Sequence, residues 1–160
     1  MKEALGLEKL GIKVLGFADA NAAAITGERI DMQKFKRVTF LVMAVAGTTI
    51  LDHTVSFQQH TVASGGSPLA LALASPYFHK IDAATVFTRV DPVAAAASFD
   101  LLSLLGDTKF VVAFEVLSEE LAAGYRWASL NLGDSGAAQF TQILAVGHNP
   151  VDGPVYTQAL

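Results

Sequence analysis

The sequence predicts a mainly β chain, an antiparallel β-sandwich or barrel-like domain (jelly-roll-like forms included), with short helical turns and extended termini. Three observations carry this expectation. Seven to nine short runs of β-branched and aromatic residues are separated by turn signals. After residue 12 no amphipathic run reaches the ten or so residues that a parallel crossover helix needs. At 160 residues and with no cysteine, the chain suits one domain that buries a core without disulfides or thiolate metal sites.

Taken in order, residues 1–11 read as a helical turn or loose N-terminal arm, and residues 12–17 as a short strand. Residues 19–27 form an Ala/Asn-rich loop, and residues 30–32 a brief strand before a turn at Gln33 and Lys34. The strongest run, residues 38–46, is nearly continuous in hydrophobicity, which predicts a central strand covered on both faces. Residues 54–63 alternate instead, with Val55 and Phe57 on one side and Thr54, Ser56, Gln58 and His60 on the other.

A Gly/Ser/Pro tract at 64–68 marks a loop, and residues 69–74 between Pro68 and Pro76 are expected to be a short strand. Residues 77–82 and 85–90 read as consecutive strands, and 92–98 as a helical turn or loop. Residues 109–117 are a clear strand with Phe110, Val112, Phe114 and Val116 on one face. Ser118 is placed as N-cap of a helical turn whose first turn holds Glu119 and Glu120. Strands at 125–132 and 139–146 follow, and residues 148–160 read as an extended C-terminal arm.

Composition narrows the function classes. Charged residues make up 16% of the chain, against roughly 25% in ordinary globular proteins. Alanine, 26 residues, accounts for part of the apolar excess. The other reading is a surface covered by neighbouring subunits, since interface cores are depleted in charge. The best membrane candidate, 38–51, is closed by Arg37 and Asp52 and falls short of the ~20 residues a spanning helix needs. No membrane association is expected. The N-terminal stretch is charged and lacks the apolar core of a signal peptide, which points to synthesis in a cytoplasm.

Charge is also uneven. Residues 1–37 carry seven Lys/Arg and five Asp/Glu (net +2), and residues 38–160 carry four and ten (net −6), which sum to −4. An acidic body does not suit nucleic-acid binding, and the cluster Arg29, Lys34, Lys36, Arg37 is too small to change that. It reads as a solvated strand entry or as a contact surface.

No catalytic set emerges. Gly133-Asp134-Ser135-Gly136 matches the start of the motif around the nucleophile of chymotrypsin-like proteases, but Ala137 stands where that motif has glycine. The same four residues are ordinary turn chemistry between strands. His53 and His60, seven apart on a strand, leave opposite faces and do not suit a metal. Glu119 and Glu120 diverge by about 100° in a helical turn, unlike a convergent glycosidase pair. The loop at 64–67 lacks the lysine and spacing of a phosphate cradle. The expectation is a protein that is not an enzyme and has no cofactor or metal. Trp127, with Tyr125 on the same strand face and Arg126 opposite, is a core aromatic or an interface anchor.

The order of these features resembles a known group. Ile25-Thr26-Gly27 precedes Ile30-Asp31-Met32, and Phe35-Lys36-Arg37-Val38-Thr39-Phe40 opens a long strand. His53 to Thr61 follows with its Val55-Ser56-Phe57-Gln58-Gln59 centre, then a Gly/Ser loop and a late strand that ends in a turn. Over residues 12–147 this is similar to the small head-associated structural proteins of tailed bacteriophages.

The resemblance implies a virion subunit in the capsid, a decoration or stabilising protein that forms a homo-oligomer. Its implied partners are the major capsid protein and other virion proteins. Arg29, Lys34, Lys36, Arg37, Trp127 and Tyr125 are the expected assembly contacts. A tail or neck protein is the alternative within that class. A small-ligand-binding barrel lined by Tyr125, Trp127 and Phe114 is the alternative outside it, and a hydrolase using Ser135 the least favoured reading.

Overall fold

The computed structural model describes residues 11–19, 24–46, 54–101, 109–134 and 139–150. Their strands form two antiparallel sheets packed as a sandwich. The first has the order β1 (Gly11–Asp19), β12 (Gln139–Pro150), β4 (Phe35–Ala46), β10 (Lys109–Leu117), β7 (Tyr77–Ile81), β8 (Thr88–Val90). The second has the order β2 (Ile25–Thr26), β11 (Trp127–Leu132), β5 (Thr54–His60), β6 (Leu69–Ala70). Two further short strands join it: β3 (Ile30–Asp31) pairs with β11, and β9 (Ser98–Asp100) with β5. Each sheet ends in its own edge strands, so the sandwich form of the expected fold is the one adopted and not the closed barrel.

Alternation decides what goes inside. On β4 the side chains of Val38, Phe40, Val42 and Ala44 are buried, and on β10 those of Phe110, Val112, Phe114 and Val116. From the second sheet Val55, Phe57, Ala128, Leu130 and Leu132 meet them. Phe57 lies at the centre, with ring centroids 5.9 Å from Phe40, 5.1 Å from Phe114 and 6.1 Å from Phe99. Such edge-on aromatic pairs add about 0.5–1.5 kcal/mol each beyond area burial.

Gln59 shares the inward register of Val55 and Phe57, yet neither end of its amide is wasted. Its Nε2 donates to the Ala70 carbonyl at 3.1 Å, and its Oε1 accepts from the Ala122 amide at 2.7 Å. A buried amide satisfied at both ends avoids the roughly 1–3 kcal/mol of an unmade bond.

The structure revises several expectations. Strand β4 is not covered on both faces: Leu41 and Met43 on its outer side are half-buried, and Val45 is 52% exposed. Within residues 69–74 only Leu69 and Ala70 form a strand, and Leu73 makes a single bridge to Ala96. The strand expected at 85–90 starts at Thr88; for residues 92–98 the loop and not the helical turn is what forms, ending where β9 begins at Ser98. Ile25 and Thr26 pair with β11 inside what reads as a loop.

Ser118 begins a 3-10 turn without capping it. The amide at its start, that of Leu117, instead donates to Glu120 Oε2 at 2.9 Å. Glu120 Oε1 also accepts from the Ala74 and Ser75 amides and the Ser75 hydroxyl, so this carboxylate is a loop staple. At the termini, Gly11 belongs to β1 and residues 148–150 continue β12, which shortens both expected arms. Residues 1–10 and 151–160, and with them the rest of each arm, lie outside the described residues, as do His53, Ser135 and Gly136.

Candidate assembly interface

The two sheets have outer faces of opposite character. On the first sheet the register lines up five rows across the strands. The central row is Phe78, Ala113, Leu41 and Leu144, apolar across these four strands, and it ends in Arg89 on the edge strand β8. On one side of it lies Lys80, Val111, Met43 and Gln142, and beyond that Lys109, Val45 and Phe140. On the other side lies Glu115, Thr39 and Val146, and then Leu117, Arg37 and His148.

Val45 and Phe140 are 52% and 48% exposed, and with Met43 and Val111 they floor an open groove of about 440 Å³. Lys80, Asp82 and Lys109 stand on its rim, where Lys109 Nζ is 3.3 Å from Asp82 Oδ2.

At the opposite end the face turns polar. Arg37 Nη1 is 3.4 Å from Glu115 Oε1, and the Arg37 Nε is buried without a hydrogen-bond partner. Thr39 Oγ1 and His148 Nε2 are 2.9 Å apart. Burial, with Arg37 nearby, pushes the His148 imidazole below its ordinary pKa, and Glu115 only partly offsets this.

The second sheet presents polar rows outward: Ser56, Asn131 and Thr26; Gln58 and Ser129; His60, Trp127 and Asp31. Residues 61–66 fold back over this face. Arg29 holds them by donating from Nη1 to the carbonyls of Val62 at 2.8 Å and Gly65 at 2.7 Å. Gly65 and Gly66 supply the positive φ that this reversal requires.

Beneath lie His60 and Ser129, both buried, with His60 Nε2 2.9 Å from Ser129 Oγ. Burial and the Arg29 charge push the His60 imidazole below its ordinary pKa. Its Nδ1 is buried with no hydrogen-bond partner, so among the described residues no carboxylate orients the ring as the third member of a serine triad would.

The expected contact residues do not form one patch. Arg29 is engaged within the chain, and Lys34 lies near the Asp31 carboxylate. Lys36 is exposed at an end of the sandwich, beside Arg37, Ser118 and Glu119. Only Arg37 reaches the apolar outer face.

Tyr125 precedes β11 and is half-buried beside Leu121 and Arg126. Trp127 is half-buried on the outer face, with the Arg126 guanidinium 5.3 Å from its ring centroid. Arg126 thus stacks on Trp127 and does not point away from it, because residues 125–126 have not yet entered the strand. Phe114 belongs to the core while Trp127 faces outward, so Tyr125, Trp127 and Phe114 do not line one mouth.

The residues that sequence reasoning missed are Leu41, Met43, Val45, Val111, Phe140 and Leu144. For those on β4 and β10 the signal was present: the apolar runs at 40–46 and 110–114 make both faces of those strands apolar in their middle stretches. The fold buries only one.

No family model matches the chain, and no curated protein matches it. Among solved structures the chain is similar to the crystal structure of the SPBc2 prophage-derived protein YomS. The identity is 14%, the match covers 86% of this chain and 93% of that one, and the TM-score is 0.43. A likeness at that level carries no argument about role.

Proposed function

We propose that the chain is a structural subunit of a larger assembly and docks through the outer face of its first sheet. The observation that carries this is the apolar central row, Phe78, Ala113, Leu41 and Leu144, with the Val45–Phe140 groove beside it. An antiparallel sheet with one solvated face ordinarily alternates polar residues outward. The second sheet follows that rule; the first breaks it across adjacent strands. Covering such a face recovers about 25 cal/mol per Å² of apolar surface removed from water.

The finer reading is a decoration or stabilising protein on the capsid exterior of a tailed-bacteriophage virion. It would bind the major capsid protein and further copies of itself and do no chemistry. Its support is the strand-and-turn resemblance over residues 12–147, together with the low charge. A place in the tail or neck is the alternative of the same class.

The test is to purify particles from a lysate of the strain that carries the gene, and to locate the chain in them by mass spectrometry and immunogold labelling. The reading expects many copies per particle with gold over the head. Gold over the tail favours the alternative, and particles free of the chain would overturn the virion assignment.

A further inference from the structure

We infer that the partner on this face is a second copy of the chain, docked sheet to sheet about a two-fold axis that runs along the central row. The inference rests on the proposed role of the face and adds its occupant and geometry.

The area suits such a partner. Four strands (β12, β4, β10 and β7) at about 4.8 Å spacing, by about 3.4 Å for each of the nine residues of β10, give a footprint near 600 Å². A stable interface buries roughly 800 Å² of accessible surface per partner. Two such footprints, about 1,200 Å² together, fall at the lower end of the roughly 1,200–2,000 Å² that stable interfaces bury.

Charge chooses the axis. Two-fold rotation about the central row lays that row on its own copy, with small Ala113 in the middle to let the sheets close to ~10 Å. It also brings the Lys80 row of one copy over the Glu115 row of the other. Lys80 has no ion-pair partner among the described residues, and Glu115 on the neighbouring strand comes within its reach, twice by symmetry. The other in-plane axis, along the strands, would set the two Glu115 side chains side by side, and like charges across an interface disfavour it; under the favoured axis the residue that meets its own copy is Arg89 at the β8 edge, whose charge Asp91 already pairs at 2.6 Å. Under the favoured axis the row of Leu117, Arg37 and His148 passes over the row of Lys109, Val45 and Phe140, so the polar end of one copy closes the groove of the other.

Sedimentation velocity on wild type, Lys80→Glu, Glu115→Lys and the double variant tests this, with circular dichroism to confirm that each is folded. Wild type is expected to exceed its 16.8 kDa monomer mass and to form a dimer. Each single change should weaken association about ten-fold or more, and the double change should restore most of it.

A wild type that stays monomeric throughout, or a double variant no better than the singles, overturns the two-fold arrangement. If the monomer is nonetheless found in particles, the docking role stands and only the self-association falls. If a dimer forms but particles lack the chain, the self-association through this face stands and only the virion assignment falls.

Discussion

Arg126 and Asp31 meet in a two-point ion pair at the edge of the second sheet, with Arg126 Nε 2.8 Å from Asp31 Oδ1 and Nη2 against Oδ2. Asp31 is buried and Arg126 is partly open to solvent. Burial opposes ionisation of Asp31, but the Arg126 and Gln33 hydrogen bonds, with the charges of Arg126 and Lys34, hold its pKa below the usual carboxylate value. A depressed carboxylate stabilises the fold above its unfolded pKa of about 3.9, and that contribution disappears as pH falls through the folded value. Arg126→Ala should therefore lower the urea midpoint more at pH 7 than near pH 3, where the abandoned carboxyl can protonate. An equal loss at both pH values would show that Arg126 acts through packing on Trp127 alone.

Two glycines are there because of what lies beside them. A Cβ on Gly147 would sit 2.5 Å from the Phe35 ring, and one on Gly27 would sit 2.0 Å from the Leu130 carbonyl oxygen. Gly133 offers a control, since its nearest neighbour would be 3.6 Å away. Gly147→Ala and Gly27→Ala should each cost on the order of 1–3 kcal/mol by overpacking, and Gly133→Ala much less. Gly27→Ala should be the more severe, because backbone cannot turn aside as a ring can. Urea unfolding of the three variants gives the order.

His60 and His148 make the fold less stable as pH falls below neutrality. Both are pushed below the unfolded value of about 6.5, so each favours the fold fully above that pH. The contribution is lost as pH falls through 6.5 toward the folded values, when the unfolded chain binds the proton first. The unfolding midpoint should fall between pH 7 and pH 5, and His60→Gln should flatten that dependence. Arg29→Ala should raise the His60 pKa and speed amide exchange in residues 61–66, since it removes both the nearby charge and the two carbonyl bonds. Unchanged exchange would separate Arg29 from the loop.

Much of the fold was legible. The bounds of β10, residues 109–117, and the alternation of β5 follow from period-two patterning, which a half-buried strand imposes on its sequence. The two-residue strands β2, β3 and β6 were the hard part: Ile25–Thr26 was hidden in a loop, Ile30–Asp31 was expected a residue longer, and Leu69–Ala70 was overextended. A pairing two residues long is set by its neighbour and has no period of its own.

The candidate site was half legible. The hydrophobicity of β4 was plain, but a strand buried within its own chain and a strand awaiting another chain carry the same residues. In the basic cluster Arg29 donates to the Val62 and Gly65 carbonyls, partners more than thirty residues away that no local pattern announces.

The chain contains no cysteine, so a single introduced thiol reports on one place. Ala113→Cys marks the centre of the first sheet's outer face, and Gln58→Cys marks the outer face of the second. Both positions are half-buried in the single chain. Maleimide labelling of the two proteins at high concentration, compared with labelling after dilution, measures directly whether the apolar face is an assembly surface. The expected result is slow labelling at position 113 that quickens on dilution, with fast, concentration-independent labelling at position 58. Equal rates at both positions, unchanged by dilution, would contradict the account.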